Sequence, residues 1–257
     1  MKQLGHPGMV ISAPVTAPTD DAPEERQIRQ ALRATALLRE LDERTIGRIA
    51  AITRITSLAE ATVVCEEGEP ANELYILLNG QLAILAQAAN GTSAVVEVLD
   101  AGATFGLSAV LAQLPRLVTA RSVKPCRLLS IDASGLRTLV AQEPSLVTLL
   151  LRAEAEGFRA LVQQVCDLKL RTTAQRLAVY LLSLSPGQTG NTTALRLPFD
   201  KRLLAARLGC RQENLSRAFA ALRNLGVETH GARVILHDIA RLRDYALPEG
   251  GVDKATA

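Results

Sequence analysis

Residues 197–226 restrict the fold of this chain more than any other stretch, because they combine two short amphipathic helices with one tight turn. Asp200 stands where the first helix needs an N-cap. Gly209 lies at the junction and can take the positive φ that a tight helix–helix turn requires. The apolar positions that would face inward are Leu203, Leu204 and Leu208 in the first helix and Leu215, Phe219 and Leu222 in the second. The pattern predicts a helix-turn-helix.

The other face of the second helix is polar, with long hydrogen-bond donors and one carboxylate in its N-terminal half. Side chains of this kind suit the reading of base edges in a DNA major groove. The residues that we predict to read bases are Gln212, Glu213, Ser216 and Arg217. The alternative for this face is a solvated helix surface with an ion pair between Glu213 and Arg217, four residues apart.

Charge is distributed unevenly along the chain. Residues 1–168 hold 15 Lys and Arg against 19 Asp and Glu, a net charge of −4. Residues 169–247 hold 13 against 5, a net charge of +8. A basic C-terminal third behind an acidic body is the electrostatic pattern of a DNA-binding domain attached to a second domain.

The length of 257 residues favours two domains, and 48% hydrophobic with 21% charged residues is typical of a soluble protein. No apolar run approaches the roughly 20 residues that span a bilayer. The N-terminus lacks a signal-peptide pattern, so we expect a cytoplasmic protein without a membrane segment. The cysteines are dispersed, with no C-x-x-C pair, and predict neither a disulfide framework nor a metal site.

Residues 55–132 have the pattern of a β-domain. Short runs with alternating apolar residues recur about every ten residues, and glycines separate them. The runs are ATVVC (61–65), LYILL (74–78), QLAIL (81–85), AVVEVL (94–99) and RLLSI (127–131). This spacing predicts an antiparallel sandwich or roll with tight turns, as at Asn79-Gly80.

Helical periodicity flanks the β-domain on both sides. The proline-rich N-terminus predicts a disordered tail. From Glu24, apolar residues recur at helical spacing as far as Leu41, and a second helix is predicted over 42–52 with Asp42 as its cap. After the β-domain, a short helix is predicted over 133–141.

A longer helix, from Ser145 to about Leu168, carries a stripe of apolar and small residues at spacings of three and four. The stripe consists of Leu146, Leu150, Ala153, Gly157, Leu161, Val165 and Leu168. It has two interpretations. It covers the β-domain, or it pairs with a second copy of the chain, where Ala153 and Gly157 permit close helix approach.

The basic third begins with a helix over 174–184, which Thr172 or Thr173 is placed to cap. After the helix-turn-helix, a hairpin over 227–236 that turns at His230-Gly231 predicts a wing. The other predicted elements are a loop over 185–191, a strand over 195–198 and a last helix over 238–245.

Several motifs in this order resemble those of the Crp/Fnr family of bacterial transcription regulators, over residues 25–247. They are EEGEPANELYILLNGQLAIL (66–85), GATFG (102–106), LRTTAQRLAVYLL (170–182) and the helix-turn-helix. The resemblance implies an α+β fold: a cyclic-nucleotide-binding-like antiparallel β-roll, a long dimerisation helix and a winged helix-turn-helix. It also implies a homodimer on promoter DNA, with RNA polymerase as a partner. The implied parts are a tail over 1–24, an effector-sensing β-roll domain with flanking helices over 25–143, a dimerisation helix over 144–169, a DNA-binding domain over 170–247 and a tail over 248–257.

The second helix of the helix-turn-helix resembles the Fnr branch of this family. Residues 213–217 match the E-x-x-S-R motif of that branch, whose half-site is TTGAT, whereas the cyclic-AMP branch has Gly in the place of Ser216. On this match, Arg217 pairs with guanine, Glu213 accepts from cytosine, and Ser216 approaches a thymine methyl or a nearby acceptor. The side chains that we expect on the DNA backbone are Thr172, Lys201, Arg202, Arg207 and Arg211.

The effector pocket departs from the family's nucleotide-binding pattern. In nucleotide-binding members, a Glu after the F-G turn binds the ribose, and an Arg nine residues later, followed by a small residue, binds the cyclic phosphate. Arg116 stands at the Arg position, but Leu107 replaces the Glu and Leu117 the small residue. An unpaired ribose hydroxyl costs about 1–3 kcal/mol, so we favour an effector other than a classical cyclic nucleotide, with a cyclic-nucleotide-responsive regulator as the alternative. The predicted pocket residues are Gly106, Leu107, Ser108, Arg116, Leu117, Val118 and Leu161.

Three kinds of sensor stay open: haem with a diatomic gas such as nitric oxide, another small apolar ligand, or no ligand. The hinge and the helix-turn-helix resemble the Dnr-like group, which senses nitric oxide through haem. Residues 25–168 hold no histidine, however. The axial ligands of a haem would therefore come from His6, Met9, Cys65, Tyr75 or Cys126.

The sequence has little to support an enzyme. It contains no G-x-S-x-G motif, no P-loop and no His or Cys group at metal-ligand spacing. A ligand-binding module that regulates a protein partner through the β-roll alone is the second alternative. The charge of +8 over residues 169–247 argues against it.

Overall fold

The computed structural model describes residues 22–87, 93–185, 191–197 and 200–247, and it has the predicted α+β architecture. Two β-sheets and their flanking helices form the N-terminal half, and a long helix leads to a third sheet with helices. The predicted tail over 248–257, residues 1–21 of the predicted N-terminal tail and residues 186–190 of the predicted loop lie outside the described residues.

Two helices precede the β-domain: α1, Ala22–Ala34, and α2, Glu43–Ala50. The prediction of helical structure as far as Leu41 is wrong, because the chain turns after Ala34. The Thr35 hydroxyl donates to the Leu32 carbonyl at 2.6 Å, a local bond that competes with helix continuation. Leu38 and Leu41 are buried all the same. The apolar spacing therefore predicted burial correctly but not the helix end.

Within the described residues, eight antiparallel strands form two sheets, ordered β1-β8-β3-β6 and β2-β7-β4-β5. The strands are β1 Thr53–Leu58, β2 Val63–Cys65, β3 Glu73–Asn79, β4 Gln81–Gln87, β5 Ser93–Asp100, β6 Thr104–Phe105, β7 Thr119–Ser122 and β8 Cys126–Asp132. Each of the five predicted runs overlaps one strand, and β1, β6 and β7 lie outside those runs. The predicted antiparallel roll is confirmed.

Gly80 joins β3 to β4 at the predicted Asn79-Gly80 turn. Its φ is +87°, and a Cβ at this position would lie 2.5 Å from the carbonyl oxygen of Pro125. Both the left-handed backbone and the close approach of the next chain segment therefore require glycine.

Helix α3, Leu107–Ala112, lies between β6 and β7, and two helices follow the last strand of the roll: α4 Ala133–Gln142 and α5 Pro144–Leu170. The sequence pattern did not predict α3, whose six residues begin directly after Gly106 in a left-handed conformation. Leu107 and Val110 are buried beneath α3. Asp132 caps α4 by accepting from the Gly135 N–H at 2.6 Å.

The apolar stripe of α5 divides into a buried part and an exposed part. Leu146, Leu149 and Leu150 are buried against the roll domain. Beyond them, the apolar side chains of α5 face outward. The exposed set is Leu151, Phe158, Leu161, Val162, Val165, Leu168 and Leu170. The first turns of α5 thus cover the β-domain, and the rest leaves a largely exposed apolar face, of which Leu168 also packs against Gly209 of the helix-turn-helix.

The C-terminal part is a winged helix-turn-helix. Its elements are α6 Thr173–Ser183, β9 Thr193–Arg196, α7 Lys201–Arg207, α8 Gln212–Arg223, β10 Val227–His230, β11 Arg233–Leu236 and α9 Ile239–Ala246, with sheet order β10-β11-β9. The predicted hairpin turn at His230-Gly231 is confirmed. Leu177, Leu204, Phe219 and Leu242 share one apolar core.

Candidate nucleic-acid interface and effector cleft

Local hydrogen bonds position α7 and α8. Asp200 accepts from the Leu203 N–H at 2.8 Å and so caps α7 as predicted. Gly209 has a φ of +61°, and the N–H of Cys210 donates to the Ala205 carbonyl at 2.9 Å, which closes the turn between the helices. Leu215 and Phe219 of α8 are buried, so the opposite face of α8 points outward.

Loss of the Asp200 cap should destabilise the winged helix. We expect Asp200→Ala to lower the free energy of unfolding by about 1 kcal/mol, because an N–H of α7 loses its acceptor. Asp200→Asn should change it by a few tenths of that, since Asn is an equally good cap. Urea denaturation of both variants measures the difference, and equal loss in the two would contradict the capping role.

The four residues predicted to read bases lie together on the exposed face of α8. Gln212, Glu213, Ser216 and Arg217 are all exposed. The Ser216 hydroxyl donates to the Gln212 carbonyl at 3.1 Å, one turn earlier on the same helix. The alternative ion pair between Glu213 and Arg217 does not form, and neither side chain is paired with another described residue. Arg217 is therefore available to an external partner, while Glu213, though exposed, also lines a recess of about 880 Å³ whose other wall comes from β4, β5 and β7 of the roll.

Three of the five predicted backbone contacts flank this face. Lys201, Arg202 and Arg211 are exposed at the N-terminal ends of α7 and α8. The Lys201 ammonium lies 5.6 Å from the centroid of the Phe219 ring, which holds it beside α8. The cationic groups thus surround the end of α8 that carries the base-reading set.

The other two predicted backbone contacts have internal partners. Thr172 accepts from the Gln175 N–H at 3.2 Å and caps α6 in a capping box. Arg207 differs more from its predicted role: its guanidinium donates to the Val98 carbonyl of β5 at 2.6 Å. It also lies 5.7 Å from the centroid of the Tyr180 ring, and burial raises the pKa of Tyr180 to about 12, so that ring is neutral.

This Arg207 bond belongs to a contact between the winged helix and the roll that the sequence analysis missed. Val98 of β5 is 1% exposed and packs into the apolar core of the winged helix rather than that of the roll. Strand pattern alone did not indicate this, because a buried valine in β5 is equally consistent with the roll core.

Arg116, the predicted phosphate ligand, is buried within the roll. Its guanidinium donates to the Glu73 carbonyl at 2.7 Å and lies 5.0 Å from the centroid of the Tyr75 ring. Tyr75 in turn stacks on Phe105 and donates to the Glu73 carboxylate at 2.9 Å. These bonds satisfy Arg116 inside the protein and leave it at 6% exposure.

Only part of the predicted effector pocket lines a cavity. Gly106, Leu107 and Ser108 lie along a cleft of about 530 Å³ between the roll and α5. Ala153 and Gly157 line its other wall. The described residues that line this cleft include Glu154 and Glu156 but no Lys or Arg.

Four predicted pocket residues do not line that cleft. Arg116 is bonded within the roll, and Leu117 is 85% exposed on the surface. Val118 packs against the inner core of the roll, and Leu161 is exposed on α5 directly after the last residue of that helix that lines the cleft. Arg116 is nevertheless close to the cleft, because its guanidinium packs against the backbone of Gly106, where an added Cβ would lie 2.7 Å from one of its nitrogens. The sequence pattern did not predict α3, the helix that follows Gly106.

The described residues do not fit a haem in this cleft. Of the candidate axial ligands, Cys65, Tyr75 and Cys126 are buried in the inner core of the roll, and none of them lines the cleft, although Tyr75 stacks on Phe105, which does. Burial raises the pKa of both thiols, so neither is a thiolate at neutral pH. His6 and Met9 lie outside the described residues.

The wing carries a charged cluster that the sequence analysis did not single out. The carboxylate of Glu228 bonds the imidazole of His230 at 2.8 Å through one oxygen and that of His237 at 3.0 Å through the other. The alternation along β10, which places residues 228 and 230 on one face, is the signal that was available for the first pair.

Neither a metal centre nor a membrane span is found in the part of the chain that the structure describes. No group of three or more His, Cys, Asp or Glu side chains there is placed to hold a metal ion. No described helix is both long and apolar enough to cross a bilayer.

Two family models match the chain. Residues 55–143 match the cyclic nucleotide-binding domain, and residues 175–245 match the Crp-like helix-turn-helix domain. The first match covers the roll with α3 and α4, and the second covers the winged helix.

Known proteins resemble the chain across both parts. A "CRP-like cAMP-activated global transcriptional regulator" of Mycobacterium tuberculosis is 28% identical over 183 residues, which are 70% of this chain and 82% of that protein. A crystal structure of a Ruegeria pomeroyi DSS-3 protein named for cyclic nucleotide binding is 30% identical, with a TM-score of 0.60, and covers 86% of this chain and 98% of its own. FixK2 of Bradyrhizobium japonicum shares the fold at 20% identity, with a TM-score of 0.65 and coverage of 80% and 100%.

Proposed function

Because this chain belongs to the Crp/Fnr family of DNA-binding transcription regulators, we propose that it binds as a homodimer to an inverted repeat with TTGAT-like half-sites. The observation that carries the proposal is the exposed face of α8, where Glu213 and Arg217 have no side-chain partner among the described residues. An unpaired carboxylate and an unpaired guanidinium one helical turn apart are the groups that discriminate base edges in a major groove.

Each residue of the α8 face has a definite role in this proposal. Arg217 donates two hydrogen bonds to O6 and N7 of the half-site guanine, and Glu213 accepts from the N4 amino group of a cytosine. Ser216, whose hydroxyl is held against the helix backbone, presents its small side chain to a thymine methyl. Gln212 lies on the same face and is the fourth residue that we propose to contact base edges. Lys201, Arg202 and Arg211 contact the phosphates on either side.

The apolar face of α5 supports the homodimer. Its exposed side chains include Phe158, Leu161 and Val165, and two copies of this face bury one another in a parallel helix pair. A two-fold symmetric dimer places its two recognition helices on half-sites one helical turn, about 34 Å, apart. RNA polymerase is the partner that a regulator bound at a promoter would contact.

A small effector without a phosphate group fits the cleft between the roll and α5 better than a cyclic nucleotide does. Its charged lining residues are two glutamates, which repel an anion. Arg116 is bonded to Glu73, and Leu107 stands where a ribose acceptor would be needed. We therefore propose that this chain binds a different ligand from the related proteins that are named for cyclic AMP. The haem alternative has no described axial ligand in this cleft.

Cyclic AMP should accordingly leave DNA binding unchanged. At millimolar nucleotide, we expect the affinity for the operator to change by less than about twofold, because no polar group replaces the ribose and phosphate contacts. Fluorescence anisotropy on labelled operator DNA measures this, with the M. tuberculosis relative as the responsive control. A tenfold gain in affinity would restore the cyclic-nucleotide alternative.

A gel shift on a TTGAT-N4-ATCAA duplex tests the proposed DNA function. With excess competitor DNA and at a stated salt concentration, we expect one shifted complex that the unlabelled operator competes away. A duplex with both half-sites scrambled should compete at least about tenfold less well. Equal competition by the two duplexes would contradict the half-site, and absence of any shift would favour a module that regulates a protein partner.

A further inference from the structure

The wing holds two histidines on a single carboxylate. Glu228 and His230 lie two residues apart on β10, and His237 follows β11, which pairs with β10. Each imidazole bonds a different oxygen of Glu228, at 2.8 and 3.0 Å, and all three side chains are at least half exposed. The backbone of His237 is fixed as well, because its N–H donates to the Gly226 carbonyl at 2.8 Å.

This cluster adjoins the end of the recognition helix. Arg223, in the last turn of α8, lines the same recess of about 420 Å³ as Glu228, His230 and His237. Arg223 comes six positions after Arg217, a distance of about 9 Å along the helix axis. The major groove is about 12 Å wide, so a helix that reads bases at Arg217 brings this recess to the phosphates at the edge of the groove.

The charge of the cluster depends on pH through its histidines. Hydrogen bonds from His237 and then His230 lower the pKa of Glu228, so this group is a carboxylate at every pH considered. Histidine changes its charge between pH 5 and 8. With both imidazoles neutral the cluster carries −1, and with both protonated it carries +1.

The groups around the imidazoles are mostly cationic. Apart from Glu228, they come from β11, β9, the end of α8 and the start of α9. They are Arg233, directly opposite His230, Arg196, opposite Arg233, then Arg223, Asp238 and Arg241. Asp238 already accepts from the Arg241 N–H as the cap of α9. Protonation of the two histidines therefore completes a positive surface that DNA phosphates would stabilise.

We infer that Glu228, His230 and His237 form a pH-sensitive phosphate contact on the wing, so that the protein binds double-stranded DNA more tightly as the pH falls. The inference rests on the proposed DNA function. The sign follows from linkage: the phosphates favour the protonated imidazoles, so DNA binding takes up protons. The gain in affinity is therefore present at low pH and is lost as the pH rises.

The test is the dissociation constant of the full chain for duplex DNA at pH 6 and at pH 8, at equal ionic strength. We expect about a tenfold gain at pH 6 for the unaltered protein, and a steeper salt dependence by roughly one phosphate contact. The double variant His230→Gln, His237→Gln should gain less than about twofold, because Gln keeps a hydrogen bond to Glu228 but does not titrate. His6→Gln, at the one other histidine in the chain, is the matched control and should behave like the unaltered protein.

Two further measurements distinguish a failure of this inference from a failure of the proposed half-site. Glu228→Gln removes the negative charge and should strengthen binding severalfold at pH 8 while keeping some pH dependence. A duplex without TTGAT should show the same pH effect as the operator, since the wing contacts phosphates and not bases.

If that duplex binds as tightly as the operator yet keeps the pH effect, the half-site is wrong and the inference stands. An equal affinity at both pH values, or a pH effect that survives in the double variant, would overturn the inference, as would failure to bind either duplex.

Discussion

Replacing Arg217 with Ala will weaken binding to the TTGAT inverted repeat by roughly 5- to 150-fold for each half-site, the equivalent of about 1–3 kcal/mol. The guanidinium is exposed on α8 and bonds no residue in the described part of the chain, so its removal breaks no contact there. The loss will be specific: the variant should bind almost equally whichever base replaces the half-site guanine. Anisotropy titrations against the operator and three single-base variants measure both effects.

Arg223→Ala is the matched control for this prediction. Arg223 is also exposed on α8, but it lies in the last turn, near the wing. Its removal should weaken binding to all four duplexes by a similar factor and reduce the salt dependence, as expected for a phosphate contact. If Arg217→Ala keeps full discrimination at the guanine position, another residue reads that base and the assignment fails.

The winged helix was predictable because its decisive interactions are local. Asp200 caps the helix that begins one residue later, and Gly209 bonds within the same turn. The apolar spacing of Leu215 and Phe219 alone determines which face of α8 points outward. Base-reading residues could therefore be named from the order of residues along the chain.

The effector region was less predictable because its contacts join distant segments. Arg116 is satisfied by the carbonyl of Glu73, 43 residues earlier in the chain, and no local pattern indicates such a bond. The short helix α3 has too few residues for a recognisable period, yet it buries Leu107, one of the predicted pocket residues.

The contact between the winged helix and the roll was missed for a similar reason. Val98 and Arg207 are 109 residues apart, and each fits its own element without the other. A valine in a strand and an arginine at a helix end give no signal that they meet. The missed contact joins β5 of the roll to α7, the first helix of the helix-turn-helix.

Placing a charge on the exposed stripe of α5 should have the largest effect on this protein. Leu161 and Val165 are 56% and 53% exposed, one turn apart on the face that we propose as the dimer seam. In the double variant Leu161→Glu, Val165→Glu, four carboxylates per dimer would lie at the seam without cationic partners, a cost of several kcal/mol. We expect a folded monomer by analytical ultracentrifugation, with an unchanged circular dichroism spectrum, because neither side chain is part of the core of its own chain.

Loss of the dimer should abolish high-affinity DNA binding even though α8 is untouched. In a dimer, the first half-site contact holds the second recognition helix beside its own half-site, and this effective concentration is worth on the order of 100-fold or more in affinity. The monomer should therefore bind an operator and a single half-site equally weakly. Arg159→Glu, at an exposed position two residues before Leu161 and therefore on the opposite face of α5, changes the charge by the same −2 per chain and should leave both the dimer and operator binding intact. A double variant that still sediments as a dimer would place the seam elsewhere. A monomer that binds the operator at full affinity would instead show that one helix-turn-helix is sufficient.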